Sequence, residues 1–175
     1  MTIRYHSAKD YFDAATSPET PFTELEYLAM SEYDFVRIGV AQNPNITPAI
    51  LTSLIPVTIE SWNEQTLAAA LTENRKSPAD TLRFIAEKLI PVLDNRRGND
   101  MGMKAGVNLC SNPNTPYEVI CLVLTSDKVA TQFRRKVARA SRRHDVLELL
   151  LSDRSEAVRK RAKNSLTLLR QNVAV

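Results

Sequence analysis

The residues of this sequence best suited to chemistry are basic, and they concentrate in its last third. Residues 128–175 contain 13 Lys and Arg against 4 Asp and Glu, whereas residues 1–127 contain 10 against 16. Guanidinium and ammonium groups attract phosphates and carboxylates, so the cluster predicts binding of an anionic partner. The candidate partner-binding residues are Arg134, Arg135, Arg139, Arg142, Arg143, Arg159, Lys160 and Lys163 of this cluster, together with Trp62.

The basic cluster leaves three interpretations open. Lys136 and Arg161 extend it, and stacking of successive helices would join its cations into one positive strip. Such a strip attracts nucleic-acid phosphates through counterion release, or an acidic protein surface, or it is simply a solvated helix face. Aromatic residues that stack on bases are scarce, since only Phe133 is near. Trp62 lies in a polar context, either as an interface anchor or as packing over a loop.

The sequence predicts no catalytic, metal or cofactor site. Nucleophilic catalysis needs Ser or Cys with His and an orienting carboxylate. His6 lies in the terminal segment, and His144 lies in the arginine cluster, where Asp145 is better explained as a helix cap. Cys110 and Cys121 have neither the spacing of a metal site nor a disulfide framework, and we expect them to be small buried residues. We therefore expect a non-enzymatic protein.

Composition favours an all-helical protein of the cytoplasm. The 175 residues include only 4 Gly against 9 Pro, whereas tight hairpins and phosphate-binding loops require glycine. No apolar run approaches the roughly 18 residues of a membrane span, and the N-terminus lacks the apolar segment of a secretory signal. We therefore expect no membrane association, and two cysteines fit a reducing compartment.

A recurring pattern, clearest at residues 36–55, indicates the architecture. In four places we interpret the hydroxyl of a Ser or Thr followed by Pro as a helix N-cap that accepts N–H groups of the first turn. These residues are Thr20, Thr47, Ser77 and Thr115. Asparagines precede three of them and are expected to end the previous helix in the left-handed conformation. These are Asn43, Asn74 and Asn112.

The ends of the chain and two insertions interrupt this pattern. Residues 1–14 are aromatic-rich and are expected to form an N-terminal cap, helical from Ser7. Residues 56–64 and 94–103 are insertions, and we expect the second to be a mobile loop. The stretch from Phe133 onward predicts two or three helices, the last an amphipathic one that uses Val158, Ala162, Leu166 and Leu169.

The repeat at residues 36–51 resembles the leucine-rich repeat variant family, one of the HEAT and armadillo-like α-solenoids. The similarity covers roughly residues 15–165 and weakens at 133–151, where Ser141-Arg142-Arg143-His144 replaces the Asn-Pro and Thr-Pro punctuation. It implies a single domain, 1–175, folded as a right-handed α-α superhelix of about five short repeats, with caps at 1–14 and 166–175. The iron–sulfur cluster of some family members is not expected, because no cysteine precedes Cys110.

These features predict an interaction scaffold that binds a protein partner, with an acidic partner suited to the basic cluster. Nucleic-acid binding through the basic strip is the alternative. Residues 1–127 carry a net charge of −6 and residues 128–175 carry +9, which also predicts weak head-to-tail association between copies.

Overall fold

A computed structural model of the chain describes residues 5–94 and 100–173. All regular secondary structure within these ranges is helical, which confirms the all-α prediction. The helices are α1 (Ala8–Thr16), α2 (Phe22–Ala29), α3 (Asp34–Gln42), α4 (Pro48–Ser53), α5 (Trp62–Glu73), α6 (Ala79–Leu89), α7 (Asp100–Ser111), α8 (Tyr117–Thr125), α9 (Thr131–Ala140), α10 (His144–Leu151) and α11 (Glu156–Val173), with a 3-10 helix at Ile90–Leu93.

The helices pack in two series that alternate along the chain. Each odd-numbered helix contacts the next odd-numbered helix, from α1 to α11. Among the even-numbered helices, α2 contacts α4, α6 contacts α8, and α8 contacts α10. Their apolar faces meet in one core that extends from Ala15 to Leu166. Hydrogen bonds within a series therefore join groups 28 to 40 residues apart.

The chemistry that these turns share lies in their asparagine amides, and it differs from the prediction. Asn43 and Asn74 end α3 and α5, but their backbones are extended, with φ of −66° and −69°, and not left-handed. The amide of Asn43 instead donates to the carbonyl oxygens of Ala15 and Ser17, both at 2.8 Å. Asn74 and Asn112 make the same kind of bond to the preceding turn. We call Asn43, Asn74 and Asn112 the asparagine ladder.

The hydroxyls before the prolines also act differently from the prediction at three of four positions. Only Thr47 is an N-cap that accepts from a first-turn N–H, that of Ile50 at 3.3 Å. Thr20, Ser77 and Thr115 are buried, and each hydroxyl donates to the carbonyl six residues earlier at 2.5–2.6 Å. They stabilise the end of the previous helix because a buried helix end needs donors for its last carbonyls.

Loop length explains why Thr47 is the exception. Its turn has one more residue between the asparagine and the proline than the turns of Asn74 and Asn112. Ile46 takes the place of the buried hydroxyl and donates its N–H to the Asn43 carbonyl, as Thr115 does to that of Asn112. Ile46 is buried, and Thr47 is displaced to the helix start. The same Thr-Pro pair thus has two functions, depending on one inserted residue.

Both ends of the chain are helical where the structure describes them. Ser7 caps α1 through a reciprocal capping box with Asp10, so the N-terminal segment is helical from the expected residue. In α11, the predicted Val158, Ala162 and Leu166 are buried. Residues 95–99 of the predicted mobile loop lie outside the described residues. The prediction is wrong for residues 100–103, which form the first turn of α7, with Gly102 and Met103 buried against the core.

Close packing of α7 on α9 sets the orientation of the basic helix. A Cβ added to Gly106 would lie 2.6 Å from Phe133 Cε2 and 3.0 Å from Leu93 Cδ2. Only a residue without a side chain permits this approach. Phe133 is fully buried as a result, and the opposite face of α9 is directed to solvent.

The inserted segment 56–64 ends in a second capping box, which yields a prediction about pH. Glu64 accepts hydrogen bonds from the Ser61 N–H at 2.8 Å and the Thr58 hydroxyl at 2.7 Å. These bonds lower the pKa of Glu64 from 4.5 to about 2, the Ser61 N–H being the main cause. The stabilisation is therefore present above pH 4.5 and is lost as the pH falls toward 2.

We expect Glu64→Ala to lower the melting temperature at pH 7, and the difference from wild type to shrink between pH 5 and pH 2. Thermal melts across this range measure it. A difference independent of pH would attribute the effect to packing and contradict the ionised capping box.

Candidate functional site

Basic side chains from α9 and α11 line one open groove. The two helices contact each other, and each presents a face with the spacing i, i+3, i+4, i+7. The groove has a volume of about 440 Å³. It is lined by Gln132, Arg135, Lys136 and Arg139 from α9 and by Ala157, Lys160, Arg161 and Asn164 from α11. We call this the α9–α11 groove.

The opposite, apolar faces of the same helices hold the groove in place. Val137 and Ala138 of α9 are fully buried, as are Val158 and Ala162 of α11. The Ser165 hydroxyl donates to the Ala138 carbonyl at 2.7 Å and ties the two helices together. Because apolar and basic residues alternate with helical periodicity, burying one set necessarily exposes the other.

The electrostatics of the groove are unbalanced. Five of its eight lining residues are cations, and none is a carboxylate. Other cations of the chain are paired, such as exposed Arg83 with Glu118 at 2.9 Å and half-buried Arg143 with Asp145 at 2.6 Å. Across residues 5–94 and 100–173, none of the five groove cations has an ion-pair partner. Their charge is therefore available to an external anion.

Arg134, predicted to bind a partner, is in the core. Its side chain is 1% exposed, and its Nε donates to the Asp153 carboxylate at 2.7 Å. Its Nη1 donates to the Val129 carbonyl at 2.5 Å. Arg134 thus joins the start of α9 to the turn before α11 and is not accessible to a ligand.

Two further predicted residues are held by the fold. Arg143 Nη1 donates to the carbonyls of Asn112 and Thr115, both at 2.9 Å, so its guanidinium continues the asparagine ladder in the degenerate repeat. Arg159 Nη1 donates to the Asp153 carbonyl at 2.7 Å. These arginines cap helix ends, a function that sequence spacing alone does not distinguish from surface binding.

The remaining predicted residues are exposed, but only three of them line the groove. Arg135, Arg139 and Lys160 do so, whereas Arg142 and Lys163 lie outside its lining. Trp62 is 63% exposed at the start of α5, which belongs to a different part of the chain. Sequence reasoning missed Gln132 and Asn164, although the helical spacing from Arg135 and Lys160 identifies both.

No protein-family model matches the chain. No curated protein and no solved structure matches it either. The resemblance to the leucine-rich repeat variant family accordingly stays a prediction, and the surface chemistry of the groove carries the functional argument.

Side chains that could act as nucleophiles, acid–base groups or metal ligands are dispersed over the described part of the chain. Burial raises the pKa of the Cys110 thiol to about 12, which leaves it protonated and weakly nucleophilic. His6 and His144 are both exposed and lie at opposite ends of the helix series. Within the described ranges, no three His, Cys, Asp or Glu side chains come together as metal ligands. No described helix combines the length and the apolar character needed to cross a membrane.

Proposed function

We propose that this chain is a non-enzymatic α-solenoid of the leucine-rich repeat variant type, acting as an interaction scaffold. Two alternating helix series support the proposal, because solenoid repeats contact mainly their neighbours. The asparagine ladder supports it as well, since the same amide-to-carbonyl bond recurs between successive turns.

The ligand that the groove fits best is the phosphate backbone of a nucleic acid. The observation that carries this proposal is the set of five unpaired cations on both walls of one groove. The cations of α9 span four residues, from Arg135 to Arg139, or about 6 Å of helix. A linear array of anions can contact cations along that length on both walls, as a polynucleotide does. An isolated acidic side chain contacts one or two of them.

The groove predicts binding without sequence preference. No aromatic side chain lines it, so it provides no stacking platform for unpaired bases. Contacts to phosphates position a protein on nucleic acid but carry no sequence information. The chain should therefore bind duplex at least as well as single strands, and its affinity should depend steeply on salt.

Charge reversal tests the proposal. We expect Arg135→Glu/Arg139→Glu/Lys160→Glu to weaken binding to a labelled random 20-base-pair duplex by about 100-fold or more at low salt. For the wild type, five phosphate contacts give a slope of log K against log salt of about −4 to −5. The variant replaces three of the five cations, so its slope should be smaller in magnitude by roughly 3. Fluorescence anisotropy at several salt concentrations measures both quantities.

A matched control separates the groove from net charge. Lys9→Glu/Arg83→Glu/Lys128→Glu makes the same charge change at three exposed cations outside the groove. The control should bind duplex far better than the groove variant. Equal loss in both would contradict a localised site. Failure of the wild type to bind duplex, together with binding of polyglutamate, would identify an acidic protein as the partner.

A further inference from the structure

A second surface, at the opposite end of the chain, concentrates exposed aromatic side chains. Four of the five tyrosines of the protein lie within residues 5–33. The Tyr11 and Tyr33 ring centroids are 6.0 Å apart, and Tyr33 stacks on Phe35 at 5.7 Å. Tyr5 and Tyr11, which the sequence places in an N-terminal cap, pack against the core, whereas Phe12, Tyr27 and Tyr33 are about half exposed.

These rings border an open cavity of about 300 Å³ between α1 and the turn from α2 to α3. Met30 is 77% exposed, Tyr27 is 51% exposed and Tyr33 is 47% exposed. The cavity is lined by Tyr11, Tyr27, Leu28, Met30, Ser31, Glu32 and Tyr33, which we call the tyrosine groove. Clusters of exposed apolar side chains on this scale commonly mark interaction sites, and methionine adapts its shape to a partner.

Charge selects the kind of partner. Residues 5–35 contain seven acidic side chains against the single cation Lys9. Glu32 lines the tyrosine groove, and Glu26 lies on the same helix as Tyr27. Both are exposed, and neither forms an ion pair within the described residues. The partner should therefore carry positive charge next to an apolar segment.

Hydrogen bonding and spacing select an extended segment. The hydroxyls of Tyr11, Tyr27 and Tyr33 have no hydrogen-bond partner in the described part of the chain, so they are available to donate to peptide carbonyls. The Tyr11–Tyr33 ring separation of 6.0 Å is close to the rise of two residues of a polyproline II helix, about 3.1 Å each. Such a helix exposes all of its carbonyls and is ordered before it binds, so little conformational entropy is lost.

We propose that the tyrosine groove binds a proline-rich segment with adjacent arginine or lysine residues, presented by a partner protein. Prolines pack between the tyrosine rings and Met30, and the flanking cation pairs with Glu32. This surface is separate from the α9–α11 groove, so a result that contradicts one proposal leaves the other unaffected.

The test uses a labelled peptide of two arginines followed by eight prolines, titrated against the full chain by fluorescence anisotropy. Wild type should bind it, and Tyr27→Ala/Tyr33→Ala should bind at least tenfold more weakly. Phe84→Ala is the matched control, because Phe84 is 52% exposed on α6 and outside the tyrosine groove. It should bind as wild type does. The charge-reversed variant of the α9–α11 groove should also bind the peptide normally.

A control peptide makes the outcome decisive. A peptide of two arginines followed by Gly-Ser repeats should bind far more weakly; equal binding would reduce the interaction to charge and overturn the proposal. Absence of binding by the proline peptide would overturn it too. The molecular size in solution of the wild type and of Tyr27→Ala/Tyr33→Ala gives the remaining outcome. If only the wild type self-associates, a second copy covers the groove, and the proposal is wrong.

Discussion

Arg134→Met is expected to lower the free energy of unfolding by about 3–5 kcal/mol. The substitution keeps much of the apolar stem but leaves the Asp153 carboxylate, 5% exposed, without its cation. It also removes the donor to the Val129 carbonyl. A buried charge without a partner loses its hydration and gains nothing in return, so breaking a buried pair is far more damaging than breaking a surface pair. Urea denaturation followed by circular dichroism measures the change.

Two further variants test this explanation. Arg134→Met/Asp153→Asn removes the uncompensated charge at position 153. The side-chain oxygen introduced by Asp153→Asn can still accept from the Ser155 N–H, which lies 2.8 Å from Asp153 Oδ1 in the wild type. The double variant should therefore be more stable than Arg134→Met alone. Arg135→Met, one residue along and exposed, should change stability by less than about 0.5 kcal/mol. If Arg134→Met also had so small an effect, the buried pair would not be structural.

Asn112→Asp is expected to destabilise the fold by about 2–4 kcal/mol, because it replaces a buried donor with a negative charge. The Asn112 amide donates to the carbonyls of Thr72 and Asn74 at 2.9 and 3.0 Å. A carboxylate of the same shape would place negative charge against the two carbonyl oxygens and would be repelled by them. Asn112→Ala removes the donor without adding charge and should cost less, about 1–3 kcal/mol. Chemical denaturation at pH 7 ranks the two variants.

The pH dependence of Asn112→Asp separates charge from shape. Facing two carbonyl oxygens raises the pKa of the new carboxyl group, and its protonated form again has a donor. The deficit relative to wild type should therefore decrease as the pH falls from 7 to 4. Asn114→Ala supplies the control, because Asn114 donates at 2.7 Å to the Arg75 carbonyl from an exposed position where water replaces it. Equal losses for Asn112→Ala and Asn114→Ala would contradict a buried ladder.

The positions of the turns were predictable because local chemistry determines them. Proline after Ser or Thr restricts the backbone to helix starts, and glycine scarcity leaves few alternatives to short helical connections. The helix start at Ser7 and the amphipathic pattern of Val158, Ala162 and Leu166 also depend only on neighbouring residues. Each of these features was recognised from sequence and is present in the fold.

Hydrogen-bond partners of the same turns were not predictable, because they come from other repeats. Thr47 and Thr115 are both followed by proline, yet one accepts from a first-turn N–H and the other donates to a buried carbonyl. The asparagine amides find their acceptors 26 to 40 residues away. A sequence pattern reports that a donor exists at a turn, but only packing determines which carbonyl it reaches.

Arg134 and Arg135 illustrate the same division within the candidate site. They are adjacent and chemically identical, and sequence reasoning assigned both to partner binding. Successive residues on a helix point about 100° apart, so the contact of α9 with the turn at Asp153 buries one and leaves the other in the groove. Composition alone determined that the last third of the chain is basic. Tertiary structure decided which cations it pairs internally and which it leaves for a ligand, because that choice depends on carboxylates and carbonyls contributed by other helices.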